Sequence, residues 1–235
     1  NAFLLLTRQT DKVKLNCFKL EAKFHLKQDI ERDHRDALRL WTHGKSQPKA
    51  CDTLFLMMQK RGLITKEVRL RRIDNALEKR QLQLARWLAK PLNQSAKQHV
   101  NAWVQARRHP EKFLTKQAEK FPKWTDMAAS RLARKNPDRL LKLIRDRKIP
   151  EAVRQQAIVG AARTMAINFD PATAPLLRMD LPPHPILNHW RVRYFIHYQQ
   201  WPDVLQAISK LPPEERGEIE WNYWTSRALT MTGSA

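Results

Sequence analysis

Two cysteines, eight histidines and one cluster of carboxylates are the residues whose chemistry could reach beyond packing. Cys17 and Cys51 could form a disulfide or remain as two buried thiols. Without histidine partners at ligand spacing they do not make a zinc site. The histidines are scattered and none forms H-E-x-x-H. His184 and His189 flank an apolar turn with no adjacent carboxylate, which reads as a surface pair rather than as ligands. Glu214, Glu215, Glu218 and Glu220 follow Pro212-Pro213. They fall in the first turns of a helix, where the positive end of the dipole accounts for them better than a general-acid role does. There is no G-x-S-x-G elbow, no glycine-rich phosphate cradle and no Ser/His/Asp arrangement. The sequence therefore offers no catalytic residue and no metal site, and calls for no cofactor.

What remains is charge. The 235 residues carry 44 Lys and Arg against 23 Asp and Glu, a formal net charge of +21. Residues 51 to 150 hold 25 basic and 9 acidic side chains, a net +16, whereas residues 151 to 235 hold 8 of each. Such a block attracts a polyanion, whether nucleic acid, an anionic lipid surface or a carboxylate-bearing glycan; the plainer reading is a set of solvated helix faces. The candidate contacts are Arg69, Arg72 and Lys79, and the stripe Lys135, Arg139 and Lys142. Phe113, Phe121 and Trp124 interleave with basic residues and could stack bases, but they fall where helices pack. No specific nucleic-acid partner is expected.

The elements that carry these residues are helices. Five glycines are too few for the turns of sandwiches and βα loops, and 14 prolines do the punctuating. Proline suits the first position of a helix and breaks an interior. Five prolines precede an acid directly, at Pro110, Pro137, Pro150, Pro202 and Pro213, and each pair predicts a helix start, with Asn136 as an N-cap before Pro137. Apolar residues recur at three and four: Leu70, Ile73 and Leu77; Ala96, Val100, Trp103 and Val104; Leu140, Leu141 and Ile144. Cys17 falls in a helix with Leu15, Phe18 and Ala22, and Cys51 opens the helix after Pro48. Gly160 with Ala157, Ala161 and Met165 predicts a helix packed closely on its neighbours. The expectation is an all-α superhelix of about a dozen short antiparallel helices, tetratricopeptide-like.

A weak repeat, Arg108 to Leu114 against Lys135 to Leu141, fits that architecture, as do Trp221, Trp224 and Ala228 followed by Gly233. Residues 1 to 235 read as one domain with a possible bend over 171 to 185, where five prolines crowd. No stretch approaches the roughly 20 apolar residues of a membrane span. The chain opens at Asn1 without a leader, and its last helix lacks a partner, so the expectation is a piece of a longer protein.

From Trp41 the sequence reads W-T-H-G-K-S-Q-P-K-A-C-D-T-L-F. This segment closely resembles one in the helical domain of the soluble lytic murein transglycosylases, cell-wall enzymes of the Gram-negative periplasm. Trp41, Gly44, Lys45, Ser46, Gln47, Pro48, Ala50, Cys51, Asp52, Leu54 and Phe55 carry it. Upstream, L-N-C-F-K-L-E-A-K-F places Cys17 where the family has a cysteine. A-R-R-H-P-E-K-F-L and E-W-N-Y-W-T-S-R-A-L are similar in pattern. The resemblance runs the length of the chain, strongest over residues 41 to 55.

The resemblance implies a superhelix of helical hairpins that closes into a ring and bears a separate lysozyme-like catalytic domain at its C-terminal end. It also implies a Cys17–Cys51 disulfide. The family's catalytic Glu lies in an E-S motif followed by G-L-M-Q, and neither string occurs here, so no catalytic residue is carried over. The family reaction is non-hydrolytic: one Glu protonates the glycosidic oxygen, then helps the muramyl C6 hydroxyl attack C1 to leave a 1,6-anhydro end. The expected function is thus the non-catalytic helical part of a periplasmic lytic transglycosylase. Its partners would be peptidoglycan and its own catalytic domain beyond Ala235. The basic block, denser than the resemblance requires, would line or rim the ring and attract stem-peptide carboxylates. The alternative is a free-standing tetratricopeptide-like scaffold for an acidic protein.

Overall fold

The computed structural model describes residues 12 to 233. The opening at Asn1 lies outside them. The described residues form fifteen α-helices with short 3-10 turns and contain no strand. They divide into two compact units, the first ending at Asn101 and the second beginning at Ala102.

The first unit holds α1 (Lys12–His25), α2 (Glu31–Trp41), α3 (Asp52–Lys60), α4 (Lys66–Glu78), α5 (Leu82–Ala89) and the start of α6 (Gln94–Arg108), inside which the division falls. Cys17 and Cys51 are bonded, with Cα atoms 5.0 Å apart, which ties α1 to the 3-10 turn Lys49–Cys51 that leads into α3. The buried face of α1 is Cys17, Leu20 and Phe24, while Phe18 is exposed, so the apolar stripe is rotated from the one expected around Phe18. Arg61 stacks on Phe24 at 4.6 Å and grips both oxygens of Asp29 at 2.8 and 2.7 Å. His34 meets the same carboxylate. Held by the Arg61 hydrogen bonds first and the His34 bond second, the Asp29 carboxyl sits at a pKa of about 2.

The second unit continues with α7 (Pro110–Lys116), α8 (Thr125–Lys135), α9 (Pro137–Arg145), α10 (Glu151–Ile167), α11 (Ala174–Arg178), α12 (Pro185–His197), α13 (Trp201–Ser209), α14 (Pro213–Arg216) and α15 (Ile219–Thr232). Residues 171 to 185 lie within it. Proline starts α7, α9, α12 and α14, and Asn136 Oδ1 accepts from Arg139 N at 2.9 Å. Pro150 instead occupies the N-cap of α10, and Pro202 follows Trp201 in α13.

At the centre of this unit α10 packs on α8 and α12. Gly160 makes the α8 contact possible, since a Cβ there would lie 2.8 Å from the Asp126 carbonyl oxygen. Ser130 Oγ donates to the Gly160 carbonyl at 3.2 Å, and Arg163 reaches Asp126 Oδ2 at 2.8 Å. Phe113 and Trp124 are core residues, as their helical positions imply. In α9 the buried residues are Leu140 and Leu143 rather than Leu140 with Leu141 and Ile144.

With glycine scarce, helix ends are closed by other residues in the left-handed region: Lys27, Arg80, Arg147, Phe169 and Gln199, at φ of 50 to 59°. Gly233 takes the same conformation after α15.

Candidate functional site

The segment from Trp41 to Phe55 builds one wall of a groove in the first unit. Asn75 of α4 donates from Nδ2 to the Thr42 carbonyl at 2.7 Å and fixes the exit of α2. Gly44 then passes directly against α4: a Cβ at that position would sit 2.2 Å from the Asn75 carbonyl oxygen and 2.8 Å from Lys79 Cγ. Only a residue without a side chain permits this approach. The turn that follows brings Pro48 to the N-cap of the 3-10 turn and the disulfide anchors its end.

The groove has a volume of about 790 Å³. Trp41 from α2, Phe55 and Leu56 from α3, Arg69 and Arg72 from α4, and Trp87 from α5 line it, with side-chain amides from Gln47, Gln59, Gln81 and Gln83. Trp87 is 58% exposed and Leu56 59% exposed, so two large apolar surfaces face solvent within it.

Arg72 is the unusual member. It is 6% exposed, its guanidinium lies over the Trp41 ring at 4.6 Å, and Phe55 is 5.8 Å from it. Its Nε is sealed and has no hydrogen-bond acceptor among the described residues. Desolvation, with a smaller contribution from the neighbouring Arg69 charge, pulls its pKa down to about 10, so it remains a cation at neutral pH. Arg69, partly exposed, lies 5.7 Å from the Trp41 ring. Cation–π stacking offsets part of the desolvation but supplies no oxygen for Nε–H. A carboxylate matches the fork geometry of a guanidinium.

The candidate cations named from sequence do not form a single site. Arg69 and Arg72 meet in this groove; Lys79, exposed at the end of α4, lies outside its lining. In the second unit Lys135 and Arg139 line a separate groove of about 510 Å³ with Arg108, Lys112, Lys116 and Glu111. Arg139 Nε donates to Glu111 Oε1 at 2.9 Å, which holds the Glu111 carboxyl below its ordinary range and commits the arginine. Lys142 is exposed and is not part of that lining.

His184 and His189 are not a surface loop pair. His184 caps α12 through Nδ1, which accepts from Leu187 N at 3.3 Å, and His189 lies on α12 with Nε2 2.7 Å from Glu215 Oε2. Glu220 accepts from Arg193 at 3.1 Å, so two of the four clustered carboxylates have hydrogen-bond partners on α12. No group of three His, Cys, Asp or Glu capable of holding a metal occurs among the described residues. No helix among them is long and apolar enough to cross a membrane.

Two solved structures share this arrangement of helices over nearly the whole chain. An inactive variant of the lytic transglycosylase Slt from Pseudomonas aeruginosa superposes with a TM-score of 0.70 and 24% identity, covering 98% of this chain and 39% of that one. The 70 kDa soluble lytic transglycosylase from Escherichia coli gives 0.66 and 22%, covering 94% and 38%. This is the helical fold of the soluble lytic transglycosylases. A further structure of a 70-kDa soluble lytic transglycosylase, in complex with bulgecin A, matches equally well, at 0.66 and 22%. The chain thus spans under two fifths of the proteins whose fold it shares. No protein-family model and no curated protein sequence matches it.

Sequence reasoning missed Trp87 and the glutamines around it. The signal was present: α5 buries Ala85, Leu88 and Ala89, and Trp87 falls out of phase with that stripe. A large aromatic out of phase with the core face of its helix points at solvent or at a ligand.

Proposed function

We propose that this chain is the non-catalytic helical part of a periplasmic lytic transglycosylase, and that it holds peptidoglycan strands for a catalytic domain outside these residues. That domain would cleave the strand to 1,6-anhydromuropeptides. The observation that carries the reading is Arg72: a buried guanidinium stacked on Trp41, whose Nε has no acceptor among the described residues, in a groove that also exposes Trp87. A peptidoglycan strand supplies what the groove lacks. Sugar faces would cover Trp87 and Leu56, hydroxyl and N-acetyl groups would meet the glutamine amides, and a lactyl or stem-peptide carboxylate would reach Arg69 and Arg72. The basic character of residues 51 to 150 would add long-range attraction that salt screens over about 8 to 10 Å. The Cys17–Cys51 bond supports an oxidising compartment such as the periplasm.

Co-sedimentation with sacculi stripped of protein by protease tests this reading against a scaffold for an acidic protein. The chain should pellet with the sacculi at low salt, less so at high salt, and less with Arg69→Gln or Arg72→Gln. A chain that stays in the supernatant at low salt, or pellets equally in every variant, would refute the proposal.

A further inference from the structure

The second unit holds another guanidinium withdrawn from water, on α12. Arg191 is 4% exposed and falls on the buried stripe Leu187, Asn188, Arg191, Tyr194 and Phe195. Helical spacing reserves that position for an apolar side chain. Nearby arginines have carboxylate partners: Arg178 grips Asp203 at 2.8 and 3.0 Å, and Arg193 reaches Glu220 at 3.1 Å. Arg191 has none, and both its Nε and its Nη2 are sealed without an acceptor among the described residues.

A cavity of about 460 Å³ abuts it, lined by Gln155, Asp180, Leu181, Asn188, Arg191 and Lys210 among others. Asp180 is the carboxylate on that lining, but its side chain is fully exposed and lies 4.0 Å from Lys210. Burial lowers the proton affinity of Arg191, and the charge of Asp180 offsets only part of that effect. A buried cation with two unmade hydrogen bonds is among the least favourable arrangements in a protein interior. The identity of the two atoms narrows what would complete it. Nε–H and one N–H of Nη2 lie parallel along one edge of the guanidinium, at the spacing of two carboxylate oxygens.

We propose that the Arg191 cavity binds a carboxylate group. The ligand oxygens would pair with the Nε–Nη2 edge after the guanidinium turns about its own side-chain bonds. Asn188 and Gln155 would donate from their amides, and Lys210 would add charge at the rim. A peptide C-terminus and the lactyl acid of an amino sugar both carry this chemistry. The site shares no residue with the Trp41 groove and does not depend on the peptidoglycan reading.

The test is the Nε–H resonance of Arg191 in the whole ¹⁵N-arginine-labelled chain, assigned by its disappearance in Arg191→Lys. Titration with N-acetylalanine and with N-acetylmuramic acid separates the two sources, and N-acetylalaninamide is the uncharged control. A saturable downfield shift with a carboxylate and none with the amide is expected. It should persist in Arg72→Gln, which disables the other groove, and its affinity should weaken about threefold in Lys210→Ala. No saturable shift with either carboxylate, or an equal shift with the amide, would overturn the site. So would a resonance already downfield in the free protein that moves back in Asp180→Asn, because Asp180 would then be the partner. Should Arg191→Lys fail to fold, the comparison of carboxylate with amide on the unaltered chain still decides.

Discussion

Gly44→Ala perturbs the contact that holds the groove wall in place, and its cost can be worked from the distances. The added Cβ would stand 2.2 Å from the Asn75 carbonyl oxygen and 2.6 Å from its carbon. An ordinary contact is 3.4 Å or more, so the chain at Gly44 must retreat from α4 by about 1 Å. The obstacle is backbone inside a helix and has no rotamer to yield. Overpacking of this kind costs about 1 to 3 kcal/mol. The same retreat stretches the 2.7 Å bond from Asn75 to Thr42, worth about 1 kcal/mol more. The expected loss is about 2 to 4 kcal/mol, which lowers a urea midpoint by about 1 to 2 M for a slope near 2 kcal/mol/M. Gly217→Ala is the control: nothing lies within 4 Å of its added Cβ and its φ is −76°, so alanine should be neutral or stabilising by up to about 1 kcal/mol. Urea unfolding followed by far-UV circular dichroism reads both. If the two alanine variants shift the midpoint alike, the close approach at Gly44 does not exist as described.

Other consequences are as direct. Removing the disulfide in a Cys17→Ala, Cys51→Ala double variant opens a loop spanning 34 residues and should cost about 4 kcal/mol in the chain-entropy model, measured by the same denaturation. Thiol titration of the unfolded, unreduced chain should find none free. Asp29 has a folded pKa of about 2 against an ordinary value of 3.8, so its contribution is complete above about pH 4 and is lost as pH falls through 2. Stability measured over that window should fall less steeply in Asp29→Asn. Gln199→Gly relieves a left-handed residue at φ 52° in an exposed turn and should stabilise the chain by about 1 kcal/mol, read as a raised melting temperature.

The helical class and several breaks were legible because proline restricts the backbone locally, whatever the tertiary context. Pro110, Pro137 and Pro213 start helices as expected. Pro150 and Pro202 do not stand at the first position, because proline is also tolerated at the N-cap and in the first turn. Gly160 announced its close packing through the small residues around it. Gly44 was visible only as part of a resemblance; its reason is the carbonyl of Asn75, 31 positions away, and no local rule reaches that far.

The candidate site was harder to read. Arg72 sits in K-E-V-R-L-R-R, where three arginines look like one solvated face. Its burial depends on Trp41 from another helix, which spacing within α4 cannot show. Arg191 was open to inference, since it interrupts an apolar stripe on its own helix. The remaining cations were read as one polyanion-facing set from their charge, but which of them share a groove is set by how the helices pack.

In the proposed function Arg72 receives a carboxylate of a cell-wall glycan. Calorimetric titration of the chain with a purified GlcNAc–MurNAc fragment bearing its stem peptide addresses it most directly, with Arg72→Gln in parallel. A charged hydrogen-bonded contact contributes about 1.5 to 3 kcal/mol, so the variant should bind at least about tenfold more weakly. Equal affinity for the two proteins, or no binding to either, would contradict the account.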